Sequence, residues 1–245
     1  MNNHILNITN GSFVYSNKYI LTLKKLRLEK STPFSISDLN LSLDKKKVYG
    51  LIGKNGSGKT TLLKILFSKI ELQGGSFSKS FNTSKLVSNS LKTYNTFNSY
   101  EIFKLYYLLE KLTFDSKDFE TKINSFIELT EFSNQDLLKP ISNLSKGMKS
   151  KVVFSAIYTL LDKNVNFLGF DEFFTFGDQY FRKKSESLML NLLNDESTVV
   201  ISSHNFNLLR NICNEVILID SGNIVDIGKP ENIINLYRKG ISWNY

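Results

Sequence analysis

The stretch from Val48 to Phe67, VYGLIGKNGSGKTTLLKILF, decides how the rest of the chain is read. Val48 to Ile52 is a short apolar run, the pattern of a buried strand. Gly53, Gly56 and Gly58 interrupt it, and from Thr60 onward Leu62, Leu63 and Leu66 recur at helical spacing. Glycine permits positive φ and close approach of backbone, so several N–H groups can converge on one anion. Lys59 adds a point charge, Thr60 a hydroxyl, and the helix start its own positive field. The stretch predicts a cradle for phosphate between a strand and a helix.

The spacing G-x-x-x-x-G-K-T in that context is the P-loop. It assigns Gly53, Lys54, Asn55, Gly56, Ser57, Gly58, Lys59, Thr60 and Thr61 to a nucleoside triphosphate. Lys59 serves the β- and γ-phosphates and Thr60 the Mg²⁺. The motif alone does not separate kinases, GTPases and transport ATPases.

Bulk composition sets outer limits. The chain has 245 residues, enough for one large domain with a buried core. Its single cysteine, Cys213, cannot form an internal disulfide, which suits a reducing compartment. The opening MNNHILNITNG lacks the basic-then-apolar order of a signal peptide. The longest uncharged apolar stretch, Val152 to Leu161, is too short to span a bilayer, so a soluble chain is expected. Lys and Arg total 31 against 23 for Asp and Glu, a net charge of +8. Such a surplus suits nucleic acid, anionic lipid or phosphorylated ligands, and equally a solvated basic surface.

Two further strand ends carry chemistry. In NVNFLGFDEFF, residues 164 to 174, Val165, Phe167, Leu168 and Phe170 read as a buried strand that ends in Asp171 and Glu172. Ligands of open parallel sheets sit at the carboxyl ends of strands. Asp171 there can hold Mg²⁺ through its water shell, and Glu172 can orient or deprotonate an attacking water. In STVVISSHNFNLL, residues 197 to 209, Thr198 to Ile201 is another strand, and His204 falls just beyond it, within reach of a γ-phosphate. His4, near the terminus, has no such context.

The stretch NLSKGMKSK, residues 143 to 151, starts a further helix with Ser145 as a capping side chain. Lys146, Lys149 and Lys151 add positive charge where a helix already carries it, which suits a bound anion or, as the alternative, a capped surface helix whose lysines are simply solvated.

The order P-loop, LSKGM, strand-DE, strand-His resembles the ATP-binding cassette (ABC) ATPases, from about Phe34 to Leu236. LSKGM at 144–148 is similar to their signature motif LSGGQ, with Lys146 for the first glycine and Met148 for the glutamine. The resemblance implies two cassettes paired head to tail, homo- or heterodimeric. ATP on the P-loop of one is then covered by Ser145, Lys146, Gly147 and Met148 of the other. It implies catalytic roles for Glu172, His204 and Lys59, with Mg²⁺ near Thr60 and Asp171. It also implies an integral membrane subunit as partner and a peripheral position at the cytoplasmic face of the membrane, with no nucleic acid expected.

The chain departs from the family at three places. No glutamine follows the P-loop helix in KLVSNSLKTYNTF, residues 85 to 97. Asn89 is the positional match as a Mg²⁺ ligand, with Ser88 or Ser90 in its place if the register slips by one. After Glu172 the usual P-T-x-G-L-D reads Phe173, Phe174, Thr175, Phe176, Gly177, Asp178, and only Asp178, expected to cross the pair interface, matches. The resemblance implies an aromatic before the P-loop that stacks on adenine, for which Phe34, Tyr15 and Tyr19 are the candidates and core packing the other reading of all three.

The expected fold is α/β: a P-loop NTPase core with a mainly parallel sheet, an N-terminal antiparallel β subdomain and an inserted α-helical subdomain. The core takes residues 1–94 and 142–245, and 95–141 is helical, with EIFKLYYLLEKL and INSFIELTEF at helical spacing. Tyr100, Phe103, Tyr106 and Tyr107 offer either core or a groove for the membrane partner. FSISDLNLSL alternates with one register shift near Ser37 and Asp38, and KPENIINLYRKG closes the chain with a helix starting at Pro230. ATP-driven export through a separate membrane subunit is the leading function. The alternative is a soluble ABC ATPase acting on nucleic acid or ribosomes. Against its common forms, only about 85 residues lie between P-loop and LSKGM, too few for a long coiled coil, and there is one cassette. An unrelated P-loop kinase leaves LSKGM and His204 unexplained.

Overall fold

The five residues Val48–Ile52 form strand β3 and are all buried, as a strand covered on both faces requires. In the computed structural model, which describes residues 3–15, 34–88, 95–111, 113–161, 165–172, 179–193 and 197–240, β3 lies inside a six-stranded sheet. The chain order is β1 (His4–Val14), β2 (Ser35–Asp44), β3, α1 (Lys59–Leu66), β4 (Gly74–Lys79) and β5 (Ser84–Ser88). Helices α2 (Ser99–Lys111), α3 (Ser116–Thr130), α4 (Asn134–Leu138) and α5 (Lys146–Leu160) follow. Then come β6 (Phe167–Asp171), α6 (Gln179–Leu193), β7 (Thr198–Ser202), α7 (Phe206–Ile212), β8 (Glu215–Asp220), β9 (Asn223–Gly228) and α8 (Pro230–Arg238).

The large sheet runs β5-β6-β7-β3-β8-β9. Every pairing is parallel except the hairpin β8–β9. A second sheet, β2-β1-β4, is antiparallel. The alternation along β3 divides the core. Tyr49 and Leu51 face a cluster shared with α1 and the small sheet, which includes Leu62, Leu63, Leu6 and Ile36. Val48 and Ile52 face the other cluster, which takes in Phe103 and Phe126 of α2 and α3, Val152 and Phe154 of α5, and Ile233 of α8.

Gly169, in the middle of β6, has a packing cause. The ring of Phe67, just after α1, lies so close that a Cβ on Gly169 would come within 2.5 Å of it. Phe67 in turn stacks on Phe167 at 4.4 Å between centroids, and Phe167 on Phe81 at 4.9 Å. This seats α1 on the sheet and thereby aims the loop before it. The register shift expected in β2 falls where Asp38 takes φ 50, between the pairs Gly11↔Leu39 and Phe13↔Ile36.

Candidate functional site

Lys54 to Gly58 turn between β3 and α1 as a loop whose glycines carry the unusual backbone. Gly56 and Gly58 have φ 81 and φ 105, a region other residues enter only at a cost. At Gly58 space forbids a side chain as well, since a Cβ would lie 2.4 Å from the Phe34 ring. At Gly53 a Cβ would meet the Ile219 carbonyl at 2.2 Å, so the loop leaves the sheet flush against β8.

Lys59, the first residue of α1, is 6% exposed and donates to the carbonyls of Gly53 (2.9 Å) and Lys54 (3.1 Å). Burial pushes its ammonium pKa down, and the negative charges of Glu172 and Asp171 pull it back up. A buried cation held by two carbonyls at a helix start gains most from an incoming polyanion.

The strand ends bring the acids to this loop. Thr60 Oγ1 donates to Asp171 Oδ2 at 2.8 Å, linking α1 to the end of β6. The other oxygen, Asp171 Oδ1, is buried and has no hydrogen-bond partner among the described residues. Glu172 follows at φ 50, a left-handed turn for a non-glycine residue, with its N–H donating to the Ser202 carbonyl of β7 at 3.1 Å. Its carboxylate oxygen Oε1 stands 3.5 Å from His204 Nε2, and both side chains are open to solvent, 51% and 43%. Residues Asn55, Gly56, Gly58, Lys59, Thr60, Thr61 and Glu172 line one cleft of about 450 Å³, together with Tyr15 and Phe34.

A divalent cation fits this donor set. Thr60 and Asp171 supply hard oxygens, one of them buried and unpaired. Among the described residues no group of three or more His, Cys, Asp or Glu could hold a metal by itself. Mg²⁺ prefers this arrangement, one or two protein oxygens completed by phosphates and water.

Of the adenine-stacking candidates, Phe34 and Tyr15 meet across the cleft, 6.3 Å between centroids. Tyr19 lies outside the described residues, as do Asn89, Ser90 and Asp178. Ser202 escaped the sequence reading. It pairs with Asp171 in the β6–β7 register, and its buried hydroxyl has no partner among the described residues. Only strand pairing reveals that neighbour.

The LSKGM stretch enters α5. Ser145 is the N-cap, its hydroxyl accepting from the Met148 N–H at 3.2 Å, and no acid occupies the first turn. The lysines do not act alike. Lys149 Nζ donates back to the Ser142 carbonyl at 3.3 Å, and Lys151 Nζ sits 5.1 Å over the Phe181 ring, while Lys146 is exposed at the helix tip. Cys213 is structural in character: burial pushes its thiol pKa up, away from the reactive thiolate.

The loop after β3, the acids at the end of β6 two strands away and His204 beyond β7, the strand between them, meet as the parts of a nucleotide-handling site. The ABC transporter family model matches residues 36–175, and the chain belongs to that family. It is 27% identical over 210 residues to the teichoic acids export ATP-binding protein TagH of Lactococcus lactis, covering 86% of this chain and 44% of that one. It is 29% identical over 209 residues to the O-antigen export system ATP-binding protein RfbB of Myxococcus xanthus, covering 85% and 46%. The chain thus spans under half the length of these two relatives. Among solved structures, the ATP-binding cassette MJ0796, described as dimeric in a post-hydrolysis state with ADP and Pi bound, superposes with TM-score 0.68. That match has 17% identity and covers 92% of this chain and 98% of that one, a likeness of fold. No helix of the described residues is long and apolar enough to cross a membrane.

Proposed function

We propose that this chain binds and hydrolyses ATP as the nucleotide-binding subunit of an ABC transporter, and that it drives export through a separate membrane subunit. The observation that carries the reading is the convergence of Lys59, Thr60 and Glu172 on one cleft, with Asp171 bonded to Thr60 and His204 beside Glu172. The names of the export relatives support the direction. The whole chain acts as one cassette domain, with residues 95–141 as its helical subdomain. It sits peripherally at the cytoplasmic face of the membrane, paired with a second ABC subunit.

The P-loop amides and Lys59 hold the β- and γ-phosphates. Mg²⁺ held by Thr60 and Asp171 would supply charge neutralisation between those phosphates. Glu172 orients a water in line with the γ-phosphorus and accepts its proton as the new P–O bond forms and the bond to ADP breaks. His204 donates to a γ-phosphate oxygen and steadies Glu172. Ser145 and Gly147 of the second subunit close over the same phosphate, and the anion that LSKGM calls for is the neighbour's nucleotide.

Glu172→Gln tests this. Turnover should fall about a hundredfold or more, while MgATP still binds and dimers accumulate in sedimentation. Undiminished hydrolysis would take Glu172 out of the role.

A further inference from the structure

Helices α5 and α3 both rest on the first two turns of α6. Phe181 of α6 is 2% exposed and receives Phe154 of α5 edge-on, 5.6 Å between centroids at 88°. Its ring also lies under the ammonium of Lys151, the 5.1 Å contact described above. One turn further, Lys184 is bridged to Glu131, which ends α3 in a left-handed conformation at φ 57. Ser185 beside it is buried. Helix α5 therefore leans on α6 through its own second and third turns, and α3 is tied to α6 at its end.

We propose that Phe181, held by Lys151 and Phe154, is a positioning residue. It fixes the tilt of α5 on α6, and so the place at which Ser145 and Gly147 are presented to a second copy of the cassette. The inference rests on the pairing described under Proposed function. The lever is short and stiff. At 1.5 Å rise per residue, the Ser145 tip stands about 9 Å along the axis from Lys151. A tilt of about 10° there moves the tip by about 1.5 Å, enough to lose a hydrogen bond to phosphate. Close-packed interiors pass such shifts on rather than absorbing them. The lysine at 151 then has a different task from the one at 146. Lys146 lies at the helix tip, and Lys151 lies over the joint.

The test uses a chain already carrying Glu172→Gln, in which MgATP drives pairing. Into it go K151M, K151R, F181L and the K151M/F181L double variant. MgATP affinity is measured on dilute single chains, and the pairing constant by sedimentation. A cation over an aromatic ring is worth enough that K151M should weaken pairing about tenfold. Affinity of the single chain for MgATP should stay at the parental value, because the P-loop is untouched. K151R keeps the cation over the ring and should restore pairing. F181L keeps the charge but removes the ring, so it should weaken pairing as K151M does, and the double variant should add little. Parental pairing in both K151M and F181L overturns the inference and leaves the cassette reading standing. Equal losses of pairing and of MgATP affinity overturn it too, since they mark a general loosening of the fold. If the chain with Lys151 and Phe181 intact stays single in MgATP, the pairing reading falls, and this inference falls with it.

Discussion

Tyr15 and Phe34 line the same cleft but are held differently. The Phe34 ring is packed against the Gly58 backbone and braces the loop. Tyr15 is 41% exposed, and its phenol oxygen lies 3.4 Å from Thr61 Oγ1, leaving ring surface open to the cleft. Stacking on a base needs a free face, which favours Tyr15 over Phe34 for that task. Tyr15→Leu should weaken ATP binding about tenfold and weaken inorganic triphosphate binding little, because one stacked base is worth about 1–3 kcal/mol. Phe34→Leu should weaken both ligands together, since it loosens the loop. Titration with the two ligands separates the cases, and parental ATP affinity in Tyr15→Leu would exclude it as the platform. The sequence could not order these aromatics. They meet because the Tyr15 N–H donates to the Phe34 carbonyl at 3.1 Å, a pairing that no spacing announces. Lys59, Thr60, Asp171 and Glu172 were legible because a loop and a strand end fix them locally. Their mutual contacts, and Ser202 beside Asp171, depend on which strands become neighbours.

At the scale of elements, Lys47 and Asp44 together tie four strands at one end of the sheets. Lys47, just before β3, donates to Asp44 at the end of β2 (2.7 Å) and to Glu215 at the start of β8 (3.0 Å). Asp44 Oδ1 also meets His4 Nδ1 of β1 at 2.8 Å, and the Asp44 N–H donates to the Tyr49 hydroxyl of β3 at 2.7 Å. The hydrogen bond from Lys47 is the main cause holding the Asp44 carboxyl below its usual range; burial pushes the other way, and His4 assists Lys47. A carboxyl depressed in the folded state binds fewer protons there than when unfolded. Its contribution to stability is therefore present above about pH 4 and fades as pH falls through the lowered folded value. Asp44→Asn should be less stable than the parent at pH 7, and the gap should close as pH falls below about 4. Partial exposure keeps the gap small. Urea unfolding of both chains across that range checks it, and a gap that stays constant would mean that Asp44 acts through packing instead. Most elements here were readable from pattern. The bulge at Asp38 showed in the broken alternation of FSISDLNLSL, and α8 in Pro230. The edge strand β9 gives no such signal. Its residues are mostly half-exposed and lack the buried run that marked β6, β7 and β8.

At the scale of the whole molecule, the helical segment does not own its core. Phe103 and Phe126 are fully buried in one cluster with Leu168, Val199 and Leu218 of the sheet, and α5 runs through both. The covalent excursion from β5 to β6 therefore shares its apolar burial with the nucleotide-binding sheet, and the two should unfold together. Phe126→Ala removes a ring that touches Phe103 at 4.7 Å between centroids and should cost about 3–5 kcal/mol. Far-UV circular dichroism follows the helices, and binding of a fluorescent ATP analogue follows the P-loop. In a denaturant titration the two midpoints should coincide in the parent and move down together in the variant. A variant whose helical signal is lost first, while the analogue stays bound, would show that residues 95–141 fold as a unit of their own. The bridge from Glu131, at the end of α3, to Lys184 of α6 would then join two bodies rather than two parts of one.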